Sequence, residues 1–123
     1  MSPLRVLVAD DDTEIRKVLT ALIGADPRLE LVGVARDAEE AIRLAEERTP
    51  DVALLDVKMP KGGGMEAARG IGRASAGTRM VALSAYADEG SMEQMREAGV
   101  ERYVLKGQPA RAILRAIHGG DEP

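Results

Sequence analysis

Residues 6–12 read VLVADDD, a short apolar run that stops at three consecutive carboxylates, Asp10, Asp11 and Asp12. A run of this length, bounded by charge and lacking polar alternation, is typical of a strand buried on both faces, as in a parallel sheet. Adjacent acids raise one another's pKa, so a solvated turn or a nearby positive charge must offset their repulsion. The question is which residues meet these acids at the carboxyl end of the strand.

The rest of the chain repeats this pattern of short apolar strands alternating with helical segments. Strands are predicted at Leu4–Ala9, Leu29–Ala35, Val52–Leu55, Met80–Leu83 and Arg102–Leu105. Apolar residues at helical spacing predict five helices, the third over Gly64–Ala74 and the fourth over Asp88–Ala98. Five such pairs with right-handed crossovers predict an open, doubly wound α/β domain that binds ligands at the carboxyl ends of its strands.

Local patterns predict the faces and ends of several helices. The apolar stripe of the first helix comprises Ile15, Val18, Leu19, Leu22 and Ile23. Asp37 is predicted to cap the second helix, with Glu40 three residues later as in a capping box. The buried stripe of that helix is predicted to comprise Ala38, Ala41, Ile42 and Ala45. Pro109 suits the first turn of the last helix.

Composition narrows the classes of function. A chain of 123 residues with 45% hydrophobic content suits one folded domain, and its net charge of −4 argues against a nucleic-acid surface. The absence of cysteine excludes disulfides and thiolate metal sites, and the single histidine, His118, excludes a multi-histidine site. His118 reads as an ordinary helix-end residue. No apolar run is long enough for a signal peptide or a membrane span, so we expect a soluble, cytoplasmic protein.

The polar residues that follow four of the five predicted strands indicate a site. Asp10 and Asp11 follow the first, Asp56 the third, Ser84 the fourth and Lys106 the fifth. In a parallel sheet these residues share one edge, so three carboxylates, a hydroxyl and an ammonium group are expected to converge there. Crowded hard oxygens with room for water suit Mg²⁺. A carboxylate beside Mg²⁺ and a lysine can act as a nucleophile toward a phosphoryl group.

Five stretches carry a resemblance to a known family: VLVADDD, DVALLDVKMP, GGGMEA, VALSAYA and RYVLKG, between Val6 and Gly107. In this order and spacing they resemble the receiver domain of response regulators of two-component signalling. The fold that the resemblance implies is flavodoxin-like, a (βα)5 unit with a five-stranded parallel sheet in strand order 2-1-3-4-5. The receiver domain is expected over residues 1–118, with 119–123 as a C-terminal tail or the start of a linker.

The resemblance also implies a phosphoacceptor site that depends on magnesium. Asp56 corresponds to the phosphoacceptor, and Asp11 and Asp56 to direct Mg²⁺ ligands, with Asp10 acting largely through water. The backbone carbonyl of Lys58 corresponds to a further ligand. Lys106 corresponds to the essential lysine of the family.

Four positions are implied to govern the response to phosphorylation. Ser84 and Tyr103 correspond to the switch hydroxyl and the switch aromatic residue, and the side chains of Lys58 and Tyr86 flank the phosphoryl site and tune its loss. From the residues alone, Ser84 could equally be a turn hydroxyl bonded to its own backbone, and Tyr103 a static core residue. The sequence leaves these alternatives open.

The implied function is that of a switch rather than a metabolic enzyme. A sensor histidine kinase would donate the phosphoryl group, and the domain would catalyse only its own phosphorylation and dephosphorylation. The switched surface would then serve dimerisation with a second copy or an output. Gly107-Gln108-Pro109 resembles the NarL/FixJ-like subgroup, whose receivers precede a LuxR-type output domain. The chain is then either a single-domain regulator or part of a longer one, and the second is favoured because GGDEP, residues 119–123, reads like the start of a linker. DNA would be reached only through a missing output domain.

Two other functions are compatible with parts of the sequence. A degenerate receiver would act only as a protein-interaction module, although the complete set of site residues argues against it. A phosphohydrolase of the haloacid dehalogenase type uses a D-x-D-x-T/V motif after its first strand. Asp10 and Asp12 supply both acids, but Glu14 stands at the fifth position of that motif.

Overall fold

The computed structural model describes residues 2–119, in which strands and helices alternate strictly. The elements are β1 (Leu4–Ala9), α1 (Thr13–Gly24), β2 (Leu29–Ala35), α2 (Ala38–Arg48), β3 (Val52–Asp56), α3 (Gly63–Ala74), β4 (Arg79–Ser84), α4 (Glu89–Glu97), β5 (Arg102–Leu105) and α5 (Ala110–His118). The five strands form one parallel sheet in the order β2-β1-β3-β4-β5. The predicted flavodoxin-like topology is therefore confirmed.

The sheet lies between two hydrophobic layers because side chains of successive strand residues point to opposite faces. Along β1, Leu7 and Ala9 pack in the layer that holds α2, α3 and α4, whereas Val6 and Val8 pack in the layer that holds α1 and α5. In the absence of Phe and Trp, these layers are built from aliphatic residues and methionine. Both faces of the central strands are thus covered, and the polar residues at the ends of these strands remain available for a site.

Aspartates cap three of the helices. Asp12, Asp37 and Asp88 accept backbone N–H bonds at the starts of α1, α2 and α4, respectively. The predicted cap at Asp37 is confirmed, but the predicted capping box is wrong in its second bond. The Glu40 carboxylate accepts from the N–H of Arg36, at 2.8 Å, and not from that of Asp37. The arginine side chain also lies 3.7 Å from the same carboxylate, which favours this alternative.

Other sequence predictions differ in detail. Val18 lies on the solvent face of α1 with 61% of its surface exposed, because the buried face of this helix is narrower than the apolar stripe. Leu44 is buried in α2 whereas Ile42 is only partly so. Pro109 is the N-cap residue of α5, with extended backbone, rather than its first helical residue. The prediction of a tail over 119–123 falls, for residues 120–123, outside the described residues.

A polar cluster that the sequence did not reveal joins α5 to the α1–β2 connection. Asp26 is buried and accepts bonds from the backbone N–H and the side chain of Arg28, at 2.9 and 3.0 Å. The bonds from Arg28 hold the pKa of Asp26 well below its usual range. His118 Nε2 lies 3.2 Å from the same carboxylate, so the expected helix-end histidine has a specific partner from a distant part of the chain.

The longest helices between Ser2 and Gly119, α1 and α3, have 12 residues each. Neither they nor the shorter helices in this range are long and apolar enough to cross a bilayer.

Candidate functional site

The strand order brings the predicted acids and lysine together at the carboxyl edge of the sheet. Asp10 and Asp11 follow β1, and Asp56 ends the neighbouring β3. A carboxylate oxygen from each of the three lies within 4.8 Å of the others. Lys106 follows β5, and its Nζ lies 3.0 Å from Asp10 Oδ2 and 3.2 Å from Asp56 Oδ1. Four of the predicted site residues therefore form one cluster.

Burial makes this cluster electrostatically unusual. Asp10 is completely buried and Asp56 is 5% exposed, whereas Asp11 faces solvent. Burial, with a contribution from the charge of Asp10, raises the pKa of Asp56 to about 7, although Lys106 opposes this effect. Burial alone would lower the pKa of Lys106, but Asp10 and Asp56 outweigh it and the net shift is upward. One ammonium group thus compensates only part of the carboxylate charge.

The donor set fits a hard divalent cation. Asp10 Oδ1 accepts the N–H of Asp12 at 2.9 Å. Within residues 2–119, Asp10 Oδ2 is buried without a hydrogen bond and has only the ion pair with Lys106. Three carboxylates and one ammonium leave excess negative charge that a cation would neutralise. An open cleft of about 220 Å³ beside Asp11 and Asp56 gives room for water ligands. Oxygen ligands with retained water are the coordination that Mg²⁺ prefers.

Asp12 has a different role from its two neighbours. Its carboxylate accepts the N–H groups of Glu14 and Ile15, at 2.8 and 3.2 Å, and so caps α1. The prediction that Asp12 starts the helix is confirmed. The phosphohydrolase alternative needs both Asp10 and Asp12 for chemistry, and here the carboxylate of Asp12, which also lines the cleft, is used as a helix cap.

Arg16 is a neighbour of the site that sequence reasoning missed. Its guanidinium donates to the backbone carbonyl of Asp10 at 2.8 Å and to Thr13 Oγ1 at 3.2 Å. The bond ties the first turn of α1 to the peptide between Asp10 and Asp11. The one signal in the sequence is a basic residue soon after the acids. Its spacing does not show whether the side chain bonds to the backbone of the site or faces solvent.

Ser84 and Tyr103 converge on one backbone carbonyl. The Ser84 hydroxyl donates to the carbonyl of Tyr86 at 3.0 Å and accepts the N–H of the same residue at 3.1 Å. The Tyr103 hydroxyl lies 3.4 Å from this carbonyl, a long hydrogen bond. In this conformation the Ser84 hydroxyl bonds to the local backbone, as one of the two interpretations of the sequence expected. Ser84 also lines the cleft beside Asp56.

Lys58 and Tyr86 form the rim of the cleft. The Lys58 ammonium lies 5.3 Å from the centre of the Tyr86 ring, within the range of a cation–π contact. Both residues line the cleft and are exposed, Tyr86 by 64%, so their contact lies where the cleft meets solvent. The Lys58 N–H lies 3.4 Å from Asp56 Oδ1, which keeps this segment close to the acid.

Comparison with known proteins agrees with this geometry. The sequence model of the response regulator receiver domain matches residues 6–118. Transcriptional regulatory protein LiaR of Bacillus subtilis is 35% identical over 119 residues, which cover 97% of this chain and 56% of LiaR. The chain thus spans about half the length of the curated relatives it matches.

Two crystal structures share the fold closely. One is the response regulator domain of CheB from Thermotoga maritima, with 30% identity and a TM-score of 0.87, covering 98% of this chain and 99% of that one. The other is a two-component response regulator of the LuxR family from Aurantimonas sp. SI85-9A1, with 31% identity and a TM-score of 0.89, covering 96% and 84%. Since sequence and fold agree over nearly its whole length, the chain belongs to the receiver domains of two-component response regulators.

Proposed function

We propose that this receiver domain takes a phosphoryl group from a sensor histidine kinase onto Asp56 in a reaction that requires Mg²⁺. Three carboxylates within 4.8 Å of one another, two of them beside the Lys106 ammonium, carry this proposal. Buried charges lower the stability of a folded domain unless they are compensated. A ligand that interacts with these charges therefore explains the cluster better than a role in folding. Phosphotransfer uses all of them.

Each residue of the cluster has a role in this reaction. An Asp56 carboxylate oxygen attacks phosphorus, while the bond from phosphorus to the kinase histidine nitrogen breaks and its electron pair stays on that nitrogen. Lys106 offsets charge on the phosphoryl oxygens. Asp10, Asp11, Asp56 and the carbonyl of Lys58 would hold Mg²⁺, which when bound supplies further positive charge to those oxygens. Asp56 must be ionised to attack, and a bound cation favours its ionised form.

The test is phosphorylation by a small-molecule donor. Wild-type protein incubated with acetyl phosphate and Mg²⁺ is expected to gain the mass of one phosphoryl group, and chelation of the metal is expected to prevent this. Asp56→Asn is expected to gain no phosphoryl group. Asp51, which precedes the opposite end of β3, supplies the matched control, because Asp51→Asn keeps the nucleophile and is expected to be phosphorylated. Phosphorylation of the Asp56→Asn variant would show that the acceptor has been assigned wrongly.

Beryllofluoride distinguishes this function from a degenerate receiver. A working site is expected to bind beryllofluoride only in the presence of Mg²⁺. Because the chain has no Trp, calorimetry or NMR is the suitable readout. If no such binding occurs, the domain is an interaction module rather than a phosphoacceptor.

We propose that the phosphoryl group acts through Ser84 and Tyr103. The Ser84 hydroxyl would leave the carbonyl of Tyr86 and donate to the phosphoryl group, and the Tyr103 ring would follow. Their movement would bias a pre-existing equilibrium of the face formed by α4, β5 and α5. That face would then serve dimerisation or an output.

Lys58 and Tyr86 are proposed to set the lifetime of the phosphoryl group. Their contact at 5.3 Å joins two exposed residues that line the cleft, and we expect it to hinder an attacking water. Tyr86→Ala is therefore expected to lose the phosphoryl group several-fold faster (on the order of one power of ten in rate for a change of about 1.4 kcal/mol in barrier). The decay of phosphorylated protein, followed by mass spectrometry, measures this, and equal rates in wild type and variant would contradict it.

The cellular setting is proposed from the relatives. LiaR is named a transcriptional regulatory protein, and we propose that this domain, over residues 1–118, controls a DNA-binding output domain through a linker that starts at 119–123. With a net charge of −4, the receiver itself is not expected to touch DNA. A cytoplasmic location and the restriction of its catalysis to its own phosphorylation and dephosphorylation belong to the same proposal.

A further inference from the structure

The β3–α3 loop, residues 57–62, carries Lys58, whose backbone carbonyl belongs to the proposed metal site. A backbone carbonyl cannot be repositioned by its own side chain, so its place depends on how the surrounding main chain is held. Metal sites are sensitive to such support, since loss of a group that orients a ligand typically lowers affinity by about 10- to 100-fold. The contacts of this loop therefore bear directly on the site.

The main chain on both sides of Lys58 is anchored. The Val57 N–H donates to the carbonyl of Leu83 in β4 at 3.0 Å, and the Val57 carbonyl accepts the N–H of Gly64 at 2.8 Å. On the other side, the Met59 side chain is 9% exposed and packs in the core. The loop is thus held between the strand edge, the first turn of α3 and the hydrophobic layer.

The first turn of α3 can approach this closely only because residue 64 has no side chain. A Cβ atom at Gly64 would lie 2.5 Å from the carbonyl oxygen of Asp56 and 2.9 Å from the Cα of Val57. Both are main-chain atoms and cannot rotate aside. Gly64 has ordinary helical backbone, so the close approach, and not a left-handed conformation, requires glycine here.

We propose that Gly64 is a positioning residue of the metal and phosphoacceptor site. By allowing α3 to rest against the Asp56–Val57 peptide, Gly64 fixes the direction in which Asp56 leaves β3 and the place of the Lys58 carbonyl. Gly64 touches neither metal nor substrate and acts entirely through this backbone. The inference rests on the proposed function, because it presumes that Mg²⁺ binds at Asp11, Asp56 and Lys58.

Helix α3 supplies matched controls. A Cβ at Gly70 would overlap Ile42 Cδ1 in α2, whereas a Cβ at Gly72 would meet, among residues 2–119, only Met80 Cε, at 4.0 Å. Gly70→Ala therefore disturbs packing without touching the loop, and Gly72→Ala disturbs neither. The three glycine-to-alanine variants separate an effect on the site from an effect on the helix.

The experiment is calorimetric titration of each folded variant with MgCl₂, together with thermal unfolding without metal. Gly64→Ala is expected to bind Mg²⁺ about tenfold or more weakly than wild type. Both control variants are expected to keep the wild-type dissociation constant, while Gly70→Ala unfolds at a lower temperature and Gly72→Ala at a slightly higher one. A wild-type dissociation constant in Gly64→Ala would overturn the inference and leave the proposed function intact. Wild type that binds no Mg²⁺ would overturn both.

A second variant tests the same loop if Gly64→Ala does not fold. Met59→Ala removes the anchor beyond Lys58, and Met95→Ala removes a more deeply buried methionine of the same core layer in α4. Met59→Ala is expected to weaken Mg²⁺ binding several-fold, whereas Met95→Ala is expected to lower stability alone. Equal Mg²⁺ affinity in these two variants would contradict the idea that the anchored loop positions the ligand.

Discussion

At the scale of single residues, three adjacent aspartates are separated by the main chain into three environments. Asp10 is fully buried against Lys106, Asp11 faces the open cleft, and Asp12 caps α1. The sequence predicted that Asp12 differs from the other two, because the strand ends at Ala9 and a helix begins soon after, but it did not predict the different burial of Asp10 and Asp11. It could not reveal Arg16, whose bond to the Asp10 carbonyl depends on a side-chain conformation.

Replacement of Asp11 is predicted to affect Mg²⁺ binding far more than replacement of Asp12. Asp11→Asn removes a charged oxygen ligand from the cleft, so we expect the Mg²⁺ dissociation constant to rise more than about tenfold. Asn caps helices as well as Asp does, so Asp12→Asn is expected to leave stability unchanged. The Mg²⁺ dissociation constant of this variant is expected to stay within about twofold of the wild-type value. Calorimetric titration compares the two, and equal losses would contradict the separate roles.

Asp56→Asn is predicted to stabilise the metal-free domain above neutral pH. Burial and the charge of Asp10 raise the pKa of Asp56 to about 7, against about 4 in an unfolded chain. Because its pKa is raised in the folded state, the ionised Asp56 lowers the free energy of unfolding above that pKa. This destabilisation disappears as the pH falls to the pKa of the unfolded chain. We expect the variant to exceed wild type by on the order of 2 kcal/mol at pH 8 and to match it near pH 4.

Denaturant unfolding without Mg²⁺ measures this difference, with Asp51→Asn as the control for loss of one negative charge. Saturating Mg²⁺ is expected to reduce the advantage of Asp56→Asn, because the cation stabilises only the wild-type carboxylate cluster. An advantage that stays constant between pH 4 and pH 8 would exclude ionisation of Asp56 as its cause.

At the scale of elements, α3 forms although four of its twelve residues are glycines, which weaken a helix. Packing decides the outcome: Gly64 rests against the β3–α3 loop and Gly70 against Ile42. The sequence indicated the helix through its apolar residues, but it could not show which glycines a neighbour requires. That information lies in the distances between elements, which no local pattern contains.

Gly70→Ala and Gly72→Ala are predicted to change stability in opposite directions. Alanine favours helix over glycine by up to about 1 kcal/mol, and Gly72→Ala should show this gain because its Cβ meets no close neighbour. Gly70→Ala must displace Ile42, and we expect a net loss of about 1–3 kcal/mol. Urea unfolding measures both, and a stabilised Gly70→Ala variant would mean that α2 and α3 separate without cost.

Local sequence patterns contain no distances between elements, and this also explains the other differences between the sequence predictions and the structure. The strands were predictable because each is a short apolar run followed by polar residues. The exposed Val18 and the pairing of Asp26 with His118 were not, because each depends on which distant element covers the residue. For the site, the shared strand edge was predictable from topology, whereas the Tyr86 carbonyl shared by Ser84 and Tyr103 was not.

At the scale of the whole molecule, strand order determines which parts of the site communicate. Asp10 and Asp56 stand on adjacent central strands, whereas Ser84 and Tyr103 belong to β4 and β5, next to α4. A change at Asp56 can therefore reach the α4 side of the domain through the β4–α4 connection that contains Tyr86. The Tyr86 carbonyl, which accepts from Ser84 and lies near Tyr103, is the common point.

This connection predicts that Ser84→Ala uncouples the site from α4. Methyl NMR of the methionines separates the two ends, since Met59 lies in the β3–α3 loop and Met92 and Met95 lie in α4. With saturating beryllofluoride and Mg²⁺, wild type is expected to shift all three signals. The variant is expected to shift Met59, which reports occupancy, and to lose most of the shift at Met92 and Met95, because no hydroxyl leaves the Tyr86 carbonyl. Full shifts in α4 of the variant would show that the phosphoryl site reaches this helix by a route that does not involve Ser84.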